Sequence, residues 1–158
     1  MRLEYFLLID RVVSLDLKAG TIVCESTVPT ESPVFEGHFP RYPLLPGVMM
    51  IETMAQCAGW FLVAMNRFQR MPFLAAVRDA KFRSFVKPGK TLIAEAKRTH
   101  DGSGYAMMET TLSCEGRIVC NGTITFHVAP FPSPDFETEM RERAASIGLL
   151  GHEALADG

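Results

Sequence analysis

The chain lacks most of the features that announce a catalytic class at sight. Its 4 cysteines, at positions 24, 57, 114 and 120, form no C-x-x-C pair. That spacing excludes the common zinc modules and reads as reduced core thiols in a cytoplasmic protein. There is no phosphate-binding glycine loop, and no serine or cysteine sits in a nucleophile elbow. Nucleotide hydrolysis and acyl transfer through a Ser or Cys nucleophile lose their usual signatures. Charge of one sign is also missing: 16 basic against 18 acidic residues give a net charge of -2, so nothing global points to nucleic acid. Internal repeats and low-complexity segments are absent. The early apolar run FLLI is too short for a signal-peptide core and meets Asp10 and Arg11 at once. Residues 48–65 hold 14 apolar positions in 18, but Glu52 and Gln56 interrupt them. A membrane span needs about 20 apolar residues and avoids unpaired carboxylates. The segment therefore reads as a helix buried in protein, with no membrane partner.

What is present is an ordinary globular composition. The apolar fraction is 47% and the charged fraction 22%, enough to build one core in a chain of this length. Strands are expected at 5–14, 21–28, 72–85, 91–98, 105–113 and 117–128. Leu92, Ala94 and Ala96 share one strand face. Ile118, Cys120, Ile124, Phe126 and Val128 share another, with polar residues opposite. Residues 29–46 carry five prolines in 18 positions and read as an ordered loop. A helix follows from Gly47 to about Arg67. The layout is α+β: two strands, one long buried helix, then four strands in meander, forming a mostly antiparallel sheet curled around the helix. One sheet covers one side of a helix, which implies a homodimer with a continuous sheet. Residues 1–134 make the main domain. Residues 135–158 read as a short exposed helix, with Glu137/Arg141 and Glu139/Arg143 pairs, and a frayed tail. His100 and His152 are expected to face solvent.

The chemistry concentrates in the stretch FEGHFPRYPLLPGVMMIETMAQCAG. Glu52 lies on a helix that is apolar on nearly every side. Desolvation disfavours its charged form and suits it to acid or base work. Gln56, one turn on, shares its face and is placed to hold the carboxyl. Pro46-Gly47 starts the helix, where unpartnered N–H groups and the dipole's positive end favour an oxygen gaining negative charge. His38 sits among aromatics in the loop that feeds this helix. His, Glu and backbone donors without a nucleophile or metal suit proton transfer beside a carbonyl.

The segment HFPRYPLLPGVMMIETMAQ resembles the signature of the β-hydroxyacyl-acyl carrier protein dehydratases, the FabZ/FabA-like family of the hot-dog fold. FLLIDRVVSLD resembles the family's first strand, and AKFRSFVKPGKTL its central strand and Pro-Gly turn. The resemblance implies His38 as the base at C2 of a 3-hydroxyacyl thioester and Glu52 as the acid at the departing hydroxyl. It implies the Gly47 N–H on the thioester carbonyl and Gln56 orienting the acid. It further implies that His and Glu meet across a dimer, that dimers can assemble in threes, and that no metal or organic cofactor is used. The acyl chain is expected in an apolar tunnel beside the helix, lined by Val48, Met49, Phe39 and Phe61. Arg41, Leu44-Leu45, Thr53 and the extension beyond Pro134 depart from the family pattern.

Between Arg78 and Arg98 stand seven basic and two acidic residues. The family's carrier proteins are acidic, so Lys81, Arg83 and Lys87, with Arg41, are expected to steer the acyl carrier protein. Two other readings stay open: an acyl thioesterase on the same fold, and a non-catalytic acyl-binding subunit.

Overall fold

In chain order the strands are β1 (Arg11–Asp16), β2 (Thr21–Thr27), β3 (Arg70–Phe82), β4 (Thr91–Gly102), β5 (Tyr105–Cys114) and β6 (Arg117–Pro130). They form one antiparallel sheet of order β1-β2-β4-β5-β6-β3. Helices are α1 (Pro33–Gly37), α2 (Gly47–Met65), α3 (Pro134–Ser146) and α4 (Leu149–Ala156). This computed structural model describes residues 1–156, with side chains through His152.

The sheet curls around α2, the arrangement expected. Apolar residues cover almost the whole circumference of the helix, so it needs protein on most sides. Met54, Cys57, Ala58, Phe61, Leu62 and Ala64 are fully buried. They meet Leu92, Ala94 and Ala96 of β4 and Met108 and Leu112 of β5 in the same core. Among the described residues α2 alone is long and apolar enough to cross a membrane, and two thirds of it is enclosed here by the rest of the chain. Thr53, one of the departures from the family pattern, is buried and donates to the Met49 carbonyl at 2.7 Å, which satisfies its hydroxyl within the helix.

Several expectations are corrected. β1 starts at Arg11; residues 3–5 form a 3-10 turn closed by Phe6 in the left-handed region. The proline-rich loop contains α1, capped by the Ser32 hydroxyl accepting from the Val34 N–H, with Pro33 in the first turn. α2 ends at Met65, two residues early. The last four strands are not a simple meander: β3 crosses to the far side of β6 and becomes an edge. In β6 the alternation breaks at Val119. Leu112 pairs with Cys120 but Ser113 with Ile118, so Val119 is an extra residue. The bulge buries Val119 and turns Ile118 outward.

The C-terminal segment is also more embedded than expected. Ser133 caps α3 by accepting from the Phe136 N–H. The Glu137–Arg141 and Glu139–Arg143 pairs form at 2.9 and 2.7 Å. Met140, Ala144, Ile147 and Leu149 nevertheless join the main core, so the helix is amphipathic. Where a frayed tail was expected, α4 lies against β1. Val12 donates to the Ile147 carbonyl at 2.9 Å. The ring Nε2 of His152 lies 3.1 Å from the Val12 carbonyl, so His152 does not simply face solvent. These contacts cover one sheet edge. Residues 157–158 of the expected tail lie outside the described residues.

Candidate active site

The loop between α1 and α2 is tied by a reciprocal pair of bonds. The Leu44 N–H donates to the His38 carbonyl at 3.0 Å. The His38 ring returns the contact, Nδ1 lying 3.0 Å from the Leu44 carbonyl. A carbonyl can only accept, so Nδ1 carries the hydrogen and the neutral ring leaves Nε2 as a free base. Phe39 stacks on the imidazole at 4.3 Å between centroids. The Leu45 N–H donates to the Val86 carbonyl at 2.8 Å, and Leu44, Leu45 and Pro46 are buried. The prolines thus lead into an anchored strap, and His38 is half-buried at its start.

The strap delivers the chain into α2 through Pro46. The Pro46 carbonyl accepts from the Met49 and Met50 N–H groups. Pro46 supplies no side-chain cap, and neither the Gly47 nor the Val48 N–H has a partner among the described residues. The Phe82 ring packs against Gly47. A Cβ there would stand 2.9 Å from its Cε1. The two free N–H groups at the positive end of a 19-residue helix are suited to an oxygen acquiring charge.

Glu52 and Gln56 share one face of α2. Gln56 Nε2 donates to Glu52 Oε1 at 3.1 Å and to the Phe6 carbonyl at 2.8 Å. Its Oε1 accepts from the Leu8 N–H at 3.2 Å. Gln56 therefore bridges the N-terminal segment to the carboxyl and fixes the rotamer of both. The main-chain groups of Phe6 and Leu8 were invisible to sequence reasoning, since backbone donors and acceptors carry no residue-type signal. Glu52 is half-buried in the single chain, not fully desolvated. It lines a cavity of about 250 Å³ between α2, β3 and α3, together with Gln56, Trp60, Met71 and Leu74.

Within one chain His38 does not line that cavity, and no hydrogen bond joins it to Glu52 among the described residues. Gly47 and His38 are joined by the strap; Glu52 and Gln56 lie farther along the helix. Val48 is exposed at the helix start and Met49 is buried beside it. Phe39 is half-exposed. Phe61 is fully buried in the core, with Arg98 over its ring at 5.9 Å; its neighbours Trp60 and Val63 face the cavity instead.

The basic segment splits. Arg41, Lys81, Arg83 and Lys87 are exposed around the start of α2. Lys87 lies 5.3 Å from the centre of the Tyr42 ring, and Arg83 donates to Asn121 at 2.8 Å. Arg98 instead packs on Met65 at the other end of the helix, roughly 30 Å away by the rise per residue. Lys90 is paired with Glu115 at 2.6 Å. No group of three or more metal-ligating side chains occurs among the described residues.

A family model described as a FabA-like domain matches residues 2–123. The chain belongs to the FabA-like family. Among curated relatives, a 3-hydroxyacyl-[acyl-carrier-protein] dehydratase FabZ of Fusobacterium nucleatum is 36% identical over 125 residues, covering 78% of this chain and 87% of that one. Two solved structures share the hot-dog fold at low identity. One is the dehydratase heterocomplex ApeI:P of Xenorhabdus doucetiae, with TM-score 0.62, 18% identity and coverage of 86% and 90%. The other is a hypothetical thioesterase protein of Streptococcus pneumoniae with coenzyme A, with TM-score 0.61, 15% identity and coverage of 78% and 88%. At such identity these two carry the fold alone. The FabA-like match stops before the end of β6, so α3 and α4 lie outside it.

Proposed function

We propose that one protomer's His38 and Glu52 of the partner subunit together dehydrate a 3-hydroxyacyl thioester. The overall activity is 3-hydroxyacyl-[acyl-carrier-protein] dehydration, a hydro-lyase reaction of fatty acid biosynthesis, the activity named for the FabZ relatives. The single observation carrying the residue assignment is the Nδ1 contact of His38 with Leu44, which leaves Nε2 unprotonated in a neutral ring.

In this reading Nε2 removes a proton from C2. The electrons flow towards the thioester carbonyl, whose oxygen gains charge against the free N–H of Gly47. Glu52, held by Gln56, gives a proton to the 3-hydroxyl. The C3–O bond breaks, water leaves, and C2=C3 forms as a trans-2-enoyl thioester. One proton enters the protein at His38 and one leaves from Glu52, so net charge is conserved over the step. Neither a metal nor an organic cofactor is called for.

The dimer is part of the proposal. β3 is an edge strand 13 residues long, and long unpaired edges are normally covered. Phe73, Leu74, Phe82 and Phe85 are exposed on it or just after it, an apolar surface suited to a second copy. Pairing of β3 with its copy brings a second α2 alongside. Three such dimers in a larger assembly, and a cytoplasmic location, belong to the same reading. The carrier protein would approach over Arg41, Lys81, Arg83 and Lys87.

The test is one incubation with a 3-hydroxyacyl carrier-protein thioester. Enoyl absorbance without free thiol supports dehydration. Free thiol without enoyl product supports a thioesterase and overturns it. Binding without either product supports the acyl-binding subunit.

A further inference from the structure

We propose that α3, which lies beyond the part of the chain shared with the family, is the end wall of the acyl channel and restricts this enzyme to 3-hydroxyacyl thioesters with short tails; the inference rests on the dehydratase reading above. The cavity that Glu52 lines is also lined by Phe136, Met140 and Arg143, all from α3. If the Glu52 carboxyl meets the 3-hydroxyl, the tail beyond C3 continues from that point. The surfaces it meets are Trp60 and Val63 of α2 and Pro72 and Leu74 of β3, mostly apolar, and then the α3 side chains.

The wall is built to stay in place. Phe136 lies 6.5 Å from the Phe73 ring and 5.9 Å from Phe131, centroid to centroid. Met140 is buried, and Ala144, Ile147 and Leu149 lock the rest of the segment into the core. Arg143 is held by Glu139 at 2.7 Å and brings a charge to the end of the cavity. An alkyl chain pushing past it would strip water from that charge, which is costly. The volume, about 250 Å³, falls below the roughly 300–1,000 Å³ of ordinary ligand sites. While α3 is seated, the space beside Glu52 stays this small.

Substitutions in opposite directions test this on the full chain. Phe136→Ala and Met140→Ala enlarge the cavity; Met140→Trp shrinks it. Turnover is measured across 3-hydroxyacyl carrier-protein thioesters of graded tail length. In parallel, binding of saturated acyl-pantetheine thioesters of the same lengths is measured, since these bind but cannot dehydrate. The enlarging variants are expected to move both optima to longer tails, with kcat/KM for the longest tail rising about 10-fold or more. The shrinking variant is expected to move both to shorter tails. Unchanged length profiles, or a parallel loss at every length as general destabilisation would produce, overturn the end wall. A binding profile that shifts while no variant dehydrates anything keeps the wall and refutes the dehydratase reading instead.

Discussion

The Nδ1 of His38 stands 3.0 Å from the carbonyl oxygen of Leu44, and this contact decides which ring nitrogen is available for chemistry. Nitrogen-15 NMR of the labelled imidazole is expected to show hydrogen on Nδ1 and a free Nε2 in the neutral ring. The opposite tautomer would remove the proposed base. His38→Ala is expected to lower kcat by about 10²- to 10⁴-fold, the usual worth of a positioned acid or base. Its melting temperature should move little, because the ring is half-exposed.

A side chain at position 47 is expected to disturb Phe82 and the helix start. In Gly47→Ala the new methyl meets the Phe82 ring, 2.9 Å from Cε1, and either the ring or the helix start must move. A displacement by an ångström of the N–H proposed to hold the carbonyl is expected to cost about 10²-fold in kcat/KM. Adding Phe82→Ala should recover part of that loss. If the double variant is no better than the single one, the clash is not the cause.

Gln56 joins three groups: the Glu52 carboxyl, the Phe6 carbonyl and the Leu8 N–H. Gln56→Leu removes these bonds, which are exposed or half-buried, at about 0.5–1.5 kcal/mol of stability in urea unfolding. Turnover should fall as well, because Glu52 loses its orienting amide. A variant that loses stability but keeps full kcat would show that Gln56 only fastens the N-terminal segment.

Phe61 belongs to the core rather than to a surface that a substrate touches. Phe61→Ala is expected to cost about 3–5 kcal/mol in chemical denaturation, as large-to-small core changes do. Val48→Ala, at the exposed helix start, should cost under about 0.5 kcal/mol. Comparable costs at the two positions would contradict this placement.

The proposed carrier docking predicts different behaviour for the two halves of the basic segment. Reversing Lys81 and Arg83 should raise KM for the carrier-bound substrate and flatten its salt dependence, while a pantetheine thioester is unaffected. Reversing Lys97, towards the other end of α2, should leave that KM alone. Equal effects at both ends would point to bulk charge instead of a docking surface.

Much of this arrangement is legible in the sequence, for physical reasons that differ by element. α2 announces itself because only an enclosed helix carries so many apolar residues around Glu52. β4 is legible because Leu92, Ala94 and Ala96 keep strict alternation. The strap reads as ordered because proline removes donors while its aromatic and leucine residues need cover. Other features left no such mark. One extra residue, Val119, reverses the facing of Ile118, and bulges have no residue-type signature here. The crossing of β3 to the outside of β6 depends on pairing between distant segments. It also brings Ala80 to within 3.3 Å of where a Cβ on Gly122 would stand. The seating of α3 depends on Met140 and Ala144, two residues that look unremarkable between ion-paired glutamates and arginines. The N-terminal segment reads as strand from its apolar run, yet Phe6 adopts a left-handed conformation and offers its carbonyl to Gln56.

The division of base and acid between two subunits is tested most directly by mixing two inactive variants. His38→Ala and Glu52→Gln are purified separately, unfolded together in equal amounts, and refolded. In a mixed dimer one site inherits both defects and the other has neither. Random pairing should therefore restore about a quarter of wild-type dehydration, given a two-fold dimer. A mixture that stays as inactive as either parent, with mixed dimers confirmed by native mass spectrometry, would contradict it.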